Sequence, residues 1–417
     1  MEELSFYIIW GAYFISLYFV IFWLLVFLEN GYRDRKRKKL KYFPRVSVII
    51  PAYNEGEQVA KTIESALSLD YPKDKLEIIA VNHGSSDNTL DVIRRYKGKI
   101  KIITLLRREN ERKGAAVNEA LSLAHGKFVA CLDADSSIES RALHKMLPYF
   151  EENDVGAVLP RIVVERPKTF IQKIQYCEYI IVFLYKKMMS CINCLYTTPG
   201  PFSLYRKKVI DEVGGFDSSN LTEDMELALK LQKKQYKIIQ TIDVEAKTFT
   251  PKTFLHYYKQ RNRWYKGALL NIVKHKDLIL NKRYGDFGML QMPFILGAAF
   301  LSLLTFSVIT IKKVIIPIIK NAQIYYYAGL NFHINDFILN IKNFSLLVFS
   351  WDKLFWFFLL IFIQLGLIIF AYRVTKKRFN TGGFYVPFTF LFVYSYTIFI
   401  AWIGVILDLL KGKKQKW

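Results

Sequence analysis

The stretch that decides the fold is Lys127-Phe128-Val129-Ala130-Cys131-Leu132-Asp133-Ala134-Asp135, followed by Ser136 and Ser137. Its apolar run has the length of a buried strand and ends in two carboxylates. Continuous apolar runs are typical of parallel strands, and open α/β sheets bind ligands beyond the carboxyl ends of their strands. Two acids at such an edge can share a divalent cation with a phosphate, because hard cations prefer oxygen ligands. The alternative is a strand that ends in a polar turn, with one Asp capping the next helix.

Residues 45–165 alternate short apolar runs with helical patterns. This alternation is typical of right-handed βαβ units and predicts an α/β fold with a mainly parallel sheet. Apolar runs predict strands at 46–51, 76–81, 100–106, 128–132 and 155–164. Apolar residues at helical spacing predict helices at 57–68, 87–95, 113–124 and 138–150. We expect Asp87 to cap the second of these helices.

Each of the first four predicted strands is followed by a loop rich in polar groups. These loops are 52–55, 82–89, 107–114 and 133–135. Because parallel strands end at one edge of a sheet, the loops are expected to converge there and offer carboxylates to a metal and basic groups to phosphates. The glycine patterns Gly-x-Gly-x-x-Gly and Gly-x-x-x-x-Gly-Lys-Ser/Thr are absent from the sequence. This argues against ordinary dinucleotide and P-loop sites.

The apolar residues are concentrated in long uncharged stretches. The chain of 417 residues is 52% hydrophobic and carries a net charge of +23. Four stretches have about the length that crosses a bilayer, ~20 residues, and they are 5–28, 289–311, 354–372 and 384–407. Basic clusters at 32–41 and 373–378 mark cytoplasmic flanks and attract anionic lipid head groups. We therefore predict a multi-pass protein of the cell membrane with a cytoplasmic globular domain and no nucleic-acid partner.

The predicted organisation has four parts. They are an N-terminal transmembrane helix (1–30), a basic cytoplasmic linker (31–44), a globular domain with interface helices (45–280) and a C-terminal region of about three spans (285–417). Within the globular domain, residues 170–189 suit a helix on a sheet or a membrane surface. Residues 254–272 suit a helix in the membrane interface, or an ordinary amphipathic surface helix.

The count of spans conflicts with the basic tail. One span before the globular domain and three after it would put both chain ends outside, whereas the basic residues at 411–416 favour the cytoplasm. Either one apolar segment does not cross the membrane, or another crossing lies within 312–350.

Several motifs, in order along the chain, resemble those of family 2 glycosyltransferases. They are Pro51-Ala52-Tyr53-Asn54-Glu55, Asn82-x-Gly84-Ser85-Ser86-Asp87-x-Thr89, Lys113-Gly114-x-x-x-Asn118 and Asp133-x-Asp135. Two more, Thr222-Glu223-Asp224 and Gln260-Arg261-Asn262-Arg263-Trp264, resemble those of the processive members. These members include cellulose, chitin, hyaluronan and poly-N-acetylglucosamine synthases. The resemblance covers about residues 45–275 and implies a GT-A domain that binds a nucleotide-diphosphate sugar.

The resemblance also implies roles for single residues. Asp133 and Asp135 would hold the sugar-phosphate side of the donor and Mg²⁺ or Mn²⁺, whose charge offsets that of the leaving diphosphate. Asp224, with Glu223 beside it, would be the general base that takes the proton of an acceptor hydroxyl. On the residues alone, both acids also suit a helix N-terminus. The other donor-binding residues that the resemblance implies are Pro51, Tyr53, Glu55, His83, Asp87, Arg108, Lys113, Gln260, Arg263 and Trp264.

The predicted helix 254–272 places Gln260, Arg263 and Trp264 on one face. An Arg can bind a diphosphate through two hydrogen bonds, and a Trp ring can stack on the terminal sugar of an acceptor. The alternative is an Arg–Trp pair that anchors an interface helix among head groups. From their position in the family, Thr198, Pro199 and Gly200 are expected to bind the acceptor at its entrance.

One residue departs from the family pattern. His83 stands where the family usually has an Asp that contacts the nucleobase. An Asp suits the imide N–H of uracil, whereas a neutral His accepts one hydrogen bond and has a different shape. A uracil nucleotide is still the first expectation.

Three functions are compatible with these residues. The first is an inverting glycosyltransferase that extends a β-linked polysaccharide. The second is an enzyme that adds one sugar to a lipid acceptor, such as a polyprenyl phosphate or a glycolipid. The third is a non-catalytic scaffold that binds a nucleotide sugar.

Overall fold

The computed structural model describes residues 2–30, 40, 42–106, 112–319, 322, 351–378, 383 and 385–412. Contacts within the chain divide it into two compact units. The first comprises Met1–Ile21 and Ile295–Phe370, and the second comprises Phe22–Phe294 and Ala371–Trp417. In the first unit, the rings of Trp10 and Trp356 pack edge to face with their centroids 5.9 Å apart.

The second unit contains the sheet. Its strands are β1 (Val46–Ala52), β2 (Leu76–His83), β3 (Lys101–Leu105), β4 (Phe128–Leu132), β5 (Ser136–Ile138), β6 (Val155–Val164), β7 (Pro201–Arg206) and β8 (Lys237–Thr248). Among the described residues these eight strands form one sheet in the order β3-β2-β1-β4-β7-β6-β8-β5. Strand β7 is antiparallel to β4 and β6, β5 is antiparallel to β8, and the other pairs are parallel. The mainly parallel α/β sheet is therefore confirmed.

The helices of both units are numbered in chain order. The described helices are α1 (Glu2–Asn30), α2 (Gln58–Leu67), α3 (Thr89–Arg94), α4 (Lys113–Leu123), α5 (Ala142–Met146), α6 (Phe170–Cys191), α7 (Lys207–Glu212), α8 (Glu223–Lys233), α9 (Phe254–Lys274), α10 (Met292–Thr310), α11 (Trp351–Val374) and α12 (Tyr385–Leu410). Short π-helical turns, Phe287–Gln291 and Ile311–Ile315, flank α10.

The core fixes the strand ends that carry the polar loops. Every residue of β1 and β4 is buried, as their apolar sequences predict. Helix α2 turns Val59, Ile63 and Ala66 toward this core. Full burial of a Val or Ile side chain stabilises a fold by about 1.5–3 kcal/mol. The loops after β1 and β4 therefore start from rigid positions.

Two helices are placed by the sheet and by each other. Helix α6 lies against β6 and β8, which confirms the prediction of a helix on a sheet. Helix α12 packs on α6 and α9. The face of α12 that is buried carries Val386, Phe390, Thr397, Ala401 and Gly404. Helix α6 thus lies on the sheet, and α12 joins α6 to α9.

The structure corrects the sequence prediction at two places. The helix predicted at 138–150 starts too early, because Ser136–Ile138 pairs with β8 as strand β5 and the helix begins at Ala142. The helix predicted at 87–95 begins at Thr89 with Asn88, not Asp87, at its N-cap position. Strands β4 and β6 have their predicted bounds, and β1, β2 and β3 end within two residues of theirs.

Three helical segments in the described part of the chain are long and apolar enough to cross a membrane. They are Trp10–Glu29, Phe287–Thr310 and Tyr385–Leu410. The fourth predicted span falls on α11, in which Phe358–Val374 is a shorter apolar helix. Residues 31–39 of the predicted linker and 323–350, where a further crossing is considered, lie outside the described residues. The four-part organisation of the chain therefore stays a prediction.

Candidate active site

A cavity of about 450 Å³ opens in the second unit, at the edge where β1, β2 and β4 end. This volume is typical of small-molecule sites, which measure about 300–1,000 Å³. Parallel pairing sets Ala52 at the end of β1 opposite Asn82, so the loop after β1 meets the end of β2. Fourteen of the predicted site residues line the cavity: Pro51, Tyr53, Glu55, His83, Lys113, Asp133, Asp135, Pro199, Gly200, Glu223, Asp224, Gln260, Arg263 and Trp264.

Asp87 does not line the cavity, and its side chain is exposed. Its carboxylate accepts hydrogen bonds from the backbone N–H of Thr89 (3.0 Å) and from the Thr89 hydroxyl (2.5 Å). The same hydroxyl accepts the backbone N–H groups of Glu55 and Gly56, each at 2.9 Å. Asp87 therefore orders the loop that carries Glu55. Arg108 lies outside the described residues.

Thr198 is also set back from the cavity, with only 1% of its surface exposed. Its hydroxyl donates to the backbone carbonyl of Asp224 at 2.8 Å, and its N–H donates to the same oxygen at 3.3 Å. The turn predicted to contact the acceptor thus holds the start of α8, where Asp224 lies.

Gly200 lets this turn approach the end of β4. A methyl group built on its Cα would collide with the carboxylate of Asp133. Any residue other than glycine would therefore displace Asp133 or the turn. Gly200, predicted to bind the acceptor, is in contact with a carboxylate predicted to bind the donor.

The acids at the strand edge crowd one another. Desolvation and the charge of Asp133 raise the pKa of Asp135 to about 6. Desolvation and the charges of Asp135, Asp133 and Asp87 raise the pKa of Glu55 to about 7. Carboxylates that raise each other's pKa are stabilised by a bound cation, which favours their charged forms. The mutual repulsion of these carboxylates therefore favours the binding of a divalent cation.

The number of protein ligands available to such an ion is small. No group of three or more His, Cys, Asp or Glu side chains in the described ranges is arranged to hold a metal. Mg²⁺ commonly binds one or two carboxylates and completes its octahedron with substrate phosphates and waters. Asp133 and Asp135 fit that arrangement.

Lys113, at the start of α4, lies between two pairs of acids in the cavity. One pair is Asp133 with Asp135, and the other is Glu223 with Asp224. The Nζ of Lys113 forms an ion pair with Asp133 and lies 3.4 Å from Oε1 of Glu223. Desolvation lowers the pKa of Lys113, but the charges of Asp133 and Glu223 outweigh this and raise it well above its ordinary value. Lys113 is therefore a permanent cation between the strand edge and α8.

Asp224 lies at the first turn of α8. Desolvation and the charge of Glu223 raise its pKa to about 6, while Lys113 and Lys186 act in the opposite direction. Its Oδ1 accepts the backbone N–H of Met225 at 2.8 Å. Since a general base works best with a pKa near the operating pH, a carboxylate of this kind is suited to proton abstraction.

Helix α6 contributes residues that the sequence analysis missed. Glu178, Tyr179 and Lys186 line the cavity. Desolvation lowers the pKa of Lys186 to about 8, although the charge of Asp224 raises it. The only sequence signal was the mixture of basic and apolar residues along this helix, and that pattern does not show which side chains face a site.

Residues 47–214 match the family model described as Glycosyl transferase family 2. The chain is 34% identical over 227 residues to the poly-beta-1,6-N-acetyl-D-glucosamine synthase of Staphylococcus epidermidis. These residues are 54% of this chain and 54% of that enzyme. It is 29% identical over 261 residues to the enzyme of the same name from Staphylococcus aureus strain COL, over 61% of this chain and 63% of that one. The matched region thus spans between half and two thirds of these relatives.

The fold is similar to a solved structure, the mannosyltransferase PcManGT from Pyrobaculum calidifontis in complex with GDP-Man and Mn²⁺. The TM-score is 0.58 at 20% identity, over 90% of this chain and 98% of that chain. The sheet and its polar edge define a glycosyltransferase domain of the GT-A type. Residues 47–214 are thus similar to glycosyltransferase family 2, and the chain resembles in sequence the polysaccharide synthases named above.

Proposed function

We propose that this protein is a membrane-embedded inverting glycosyltransferase that adds sugars from a nucleotide-diphosphate sugar to a growing polysaccharide. The observation that carries the proposal is a single cavity joining Asp133 and Asp135 to Asp224, with Lys113 between the two groups. A donor diphosphate needs cationic partners, and an acceptor hydroxyl needs a base. This cavity offers both.

The donor belongs at the strand edge. Asp133 and Asp135 would hold Mg²⁺ or Mn²⁺, which offsets the negative charge of the departing diphosphate. Tyr53 and Glu55 follow β1, and His83 is the last residue of β2. These residues line the part of the cavity that we assign to the nucleoside of the donor. A UDP-sugar is our first choice. UDP-N-acetylglucosamine leads because the relatives are named for a polymer of N-acetylglucosamine.

The acceptor belongs against the helices. Asp224 accepts the proton as the acceptor oxygen attacks the anomeric carbon, and attack opposite the departing diphosphate inverts that carbon. Arg263 and Gln260 supply hydrogen-bonding groups for the diphosphate, and Trp264 offers a flat ring to the terminal sugar of the acceptor. The polymer grows by repeating this step.

The domain acts from the cytoplasm in this proposal. The basic clusters at 32–41 and 373–378 flank apolar segments and favour the cytoplasmic side. In the second unit, Arg161 donates to the backbone carbonyl of Thr375 at 2.8 Å, and Lys377 forms an ion pair with Glu245 at 2.9 Å. The end of α11 therefore stays beside the sheet, on the side where nucleotide sugars are made.

A lipid acceptor is the second candidate. The cavity wall contains apolar side chains from α6 and from the end of β8, namely Val182, Phe183 and Phe249. Such a wall suits the first units of a polyprenyl chain or the lipid part of a glycolipid. In this case one sugar is transferred per acceptor and no polymer forms.

The test uses the full chain purified in detergent. We expect release of nucleoside diphosphate from a nucleotide sugar with Mg²⁺ or Mn²⁺, and a ladder of products in mass spectra. Asp224→Asn should lower the rate on the order of 10²- to 10⁴-fold, the usual contribution of a general base. Asp74→Asn is the matched control, because Asp74 is exposed and lies outside the cavity.

The outcomes separate the candidates. A ladder supports the polysaccharide synthase, and a single sugar on an added polyprenyl phosphate or glycolipid supports the lipid-acceptor enzyme. Turnover that Asp224→Asn leaves unchanged refutes the role of Asp224. No turnover with any nucleotide sugar, although the donor binds, identifies a scaffold.

A further inference from the structure

Arg261 lies in the same motif as Arg263 and Trp264, but it points away from the cavity into the protein. Only 1% of its surface is exposed. Its Nη2 donates to Oε2 of Glu178 on α6 at 2.5 Å. A buried guanidinium requires a charged partner, because an uncompensated buried charge is strongly destabilising. The ion pair therefore fixes α9 to α6 at this point.

The face of the Arg261 guanidinium is also occupied. Its Cζ lies 4.2 Å from the ring centroid of Trp264 and 4.7 Å from that of Tyr257. A guanidinium over an aromatic ring is attracted by the ring's quadrupole and restricts its orientation. Trp264 lines the cavity, so the orientation of this lining ring depends on a group behind it.

Helix α12 completes the arrangement from the C-terminal end of the chain. The hydroxyl of Tyr394 donates to the other oxygen of Glu178 at 3.1 Å. One turn further, Thr397 contacts the hydroxyl of Tyr257 at 3.4 Å. Gly404 allows the helices to approach, since a methyl group there would collide with Tyr258 of α9. We call Glu178, Tyr257, Arg261, Trp264 and Tyr394 the Arg261 cluster.

We propose that α12 positions the cavity ring of Trp264 through the Arg261 cluster, so that Tyr394 is a positioning residue for the acceptor. Tyr394 holds Glu178, Glu178 holds Arg261, and Arg261 orients Trp264. The consequence for catalysis rests on the proposed function. The orientation of the ring does not, and it is measured separately.

The strength of each link follows from its burial. A hydrogen bond to a charged group is stronger than one between neutral groups. Loss of the Tyr394 hydroxyl leaves the Glu178–Arg261 ion pair intact but frees one carboxylate oxygen. Glu178 can then rotate, and Arg261 moves with it. We therefore expect a shift of the Trp264 ring without unfolding of the domain.

The first measurement uses protein labelled with 5-fluorotryptophan. The seven tryptophans of the chain give separate ¹⁹F resonances, and Trp264→Phe identifies one of them by its loss. Tyr394→Phe should shift or broaden the Trp264 resonance. Tyr396→Phe is the matched control, because Tyr396 lies two residues away on the same helix with 57% of its surface exposed.

The second measurement is kinetic. Tyr394→Phe should raise the acceptor KM about 3- to 10-fold, less than the direct loss of a hydrogen bond to a charge, because the effect reaches the acceptor only through Arg261 and Trp264. The donor KM should be unchanged. In a Trp264→Phe background the same substitution should have no further effect on the acceptor KM. Arg261→Lys keeps the charge but loses the flat face, so it should change both the resonance and the acceptor KM.

The two measurements fail in different ways. A Trp264 resonance that Tyr394→Phe neither shifts nor broadens overturns the proposal, whatever the effect of Arg261→Lys. The proposal is also overturned if Tyr394→Phe raises the acceptor KM equally in the wild type and in the Trp264→Phe background. If the wild-type chain transfers no sugar, the proposed function fails, and the ¹⁹F spectra still decide whether α12 orients Trp264.

Discussion

The strand-edge half of the cavity and its helix half are positioned by different kinds of contact. At the strand edge, Glu55, Asp133 and Asp135 sit on short loops that leave neighbouring parallel strands. In the helix half, Asp224 and Trp264 depend on side chains distant in sequence, such as Thr198 and Glu178. The strand edge is therefore rigid and local, whereas the helix half is held by a network that includes α12.

This difference predicts how substitutions act. A change at the strand edge should affect donor and metal binding directly. A change in the helix half should spread to residues that are not its neighbours in sequence. The following experiments test this contrast.

Among the experiments that contrast the two halves of the cavity, the largest expected effect is that of Asp135→Asn. Loss of a ligand should cost at least as much as loss of a residue that supports one, which is typically about 10- to 100-fold in metal affinity or activity. We expect turnover to fall by that amount or more, with partial recovery at high Mn²⁺ concentration. Asp154→Asn is the control, since Asp154 is exposed and outside the cavity. Equal metal dependence in Asp135→Asn and the wild type would show that the metal binds elsewhere.

Gly200→Ala should have the next largest effect. The added methyl group collides with the Asp133 carboxylate and displaces it, and a misplacement of about 1 Å can cost about 100-fold in rate. The donor KM should rise together with the metal requirement. Gly297→Ala serves as a control for adding a methyl group at a glycine, because nothing lies within 4 Å of a Cβ there and Gly297 lies in helix α10, outside the cavity. A rise in the acceptor KM alone would instead restore the acceptor role predicted for this turn.

Asp87→Asn should have a smaller effect at the same edge. It weakens the hydrogen bonds to Thr89 that order the backbone of Glu55 and Gly56. We expect the donor KM to rise about 3- to 10-fold with kcat nearly unchanged, because the amide oxygen of Asn still accepts a hydrogen bond but lacks the added strength of a charged acceptor. Asp91→Asn, four residues further along the chain and exposed on α3, is the control. A loss of kcat comparable to that of Asp135→Asn would place Asp87 in direct contact with the donor.

The smallest expected effect is a shift of the pH profile. Asp224 must be ionised to act as a base, and its pKa is about 6, so activity should fall as the pH drops through 6. Lys186→Met removes a positive charge that favours the carboxylate, which raises the pKa of Asp224 and moves the acidic limb to higher pH. The charges of Glu223 and Lys113 stay in place.

Lys187→Met is the control for this shift, because Lys187 follows Lys186 in sequence but does not line the cavity. The measurement is kcat/KM between pH 5 and pH 8. This range includes the raised pKa of Asp224, about 6, and lies above the ordinary pKa of an Asp side chain, ~3.9. A profile unchanged in Lys186→Met would mean that the two side chains do not interact during turnover.

Much of the strand-edge half was predictable from the sequence. The apolar run before Asp133 is a buried strand with its predicted bounds, and the loops after β1, β2 and β4 converge as parallel pairing requires. Such patterns are local, because a strand and the loop that follows it are adjacent in sequence. The motif that includes Asp87 was located correctly, but its hydrogen bonds to Thr89 were not foreseen.

The helix half could be predicted only in part. The sequence placed Gln260, Arg263 and Trp264 on one helical face, and all three line the cavity. It did not show that Lys186 and Glu178 face the same space or that Thr198 holds Asp224. The contact between Glu178 and Arg261, for example, joins residues 83 positions apart. A helical pattern shows only which residues share a face of one helix.

The sequence by itself determined the α/β class, the polar strand edge and the apolar segments, because each depends on periodicity or on neighbours along the chain. The acids of the helix half were indicated only by the resemblance to family 2 glycosyltransferases. Tertiary structure decided that Gly200 must be a glycine against Asp133, that Lys113 joins the two acidic pairs, and that α12 reaches Glu178. These features depend on distances between side chains from different elements. Packing in three dimensions sets such distances, and the order of residues does not record them.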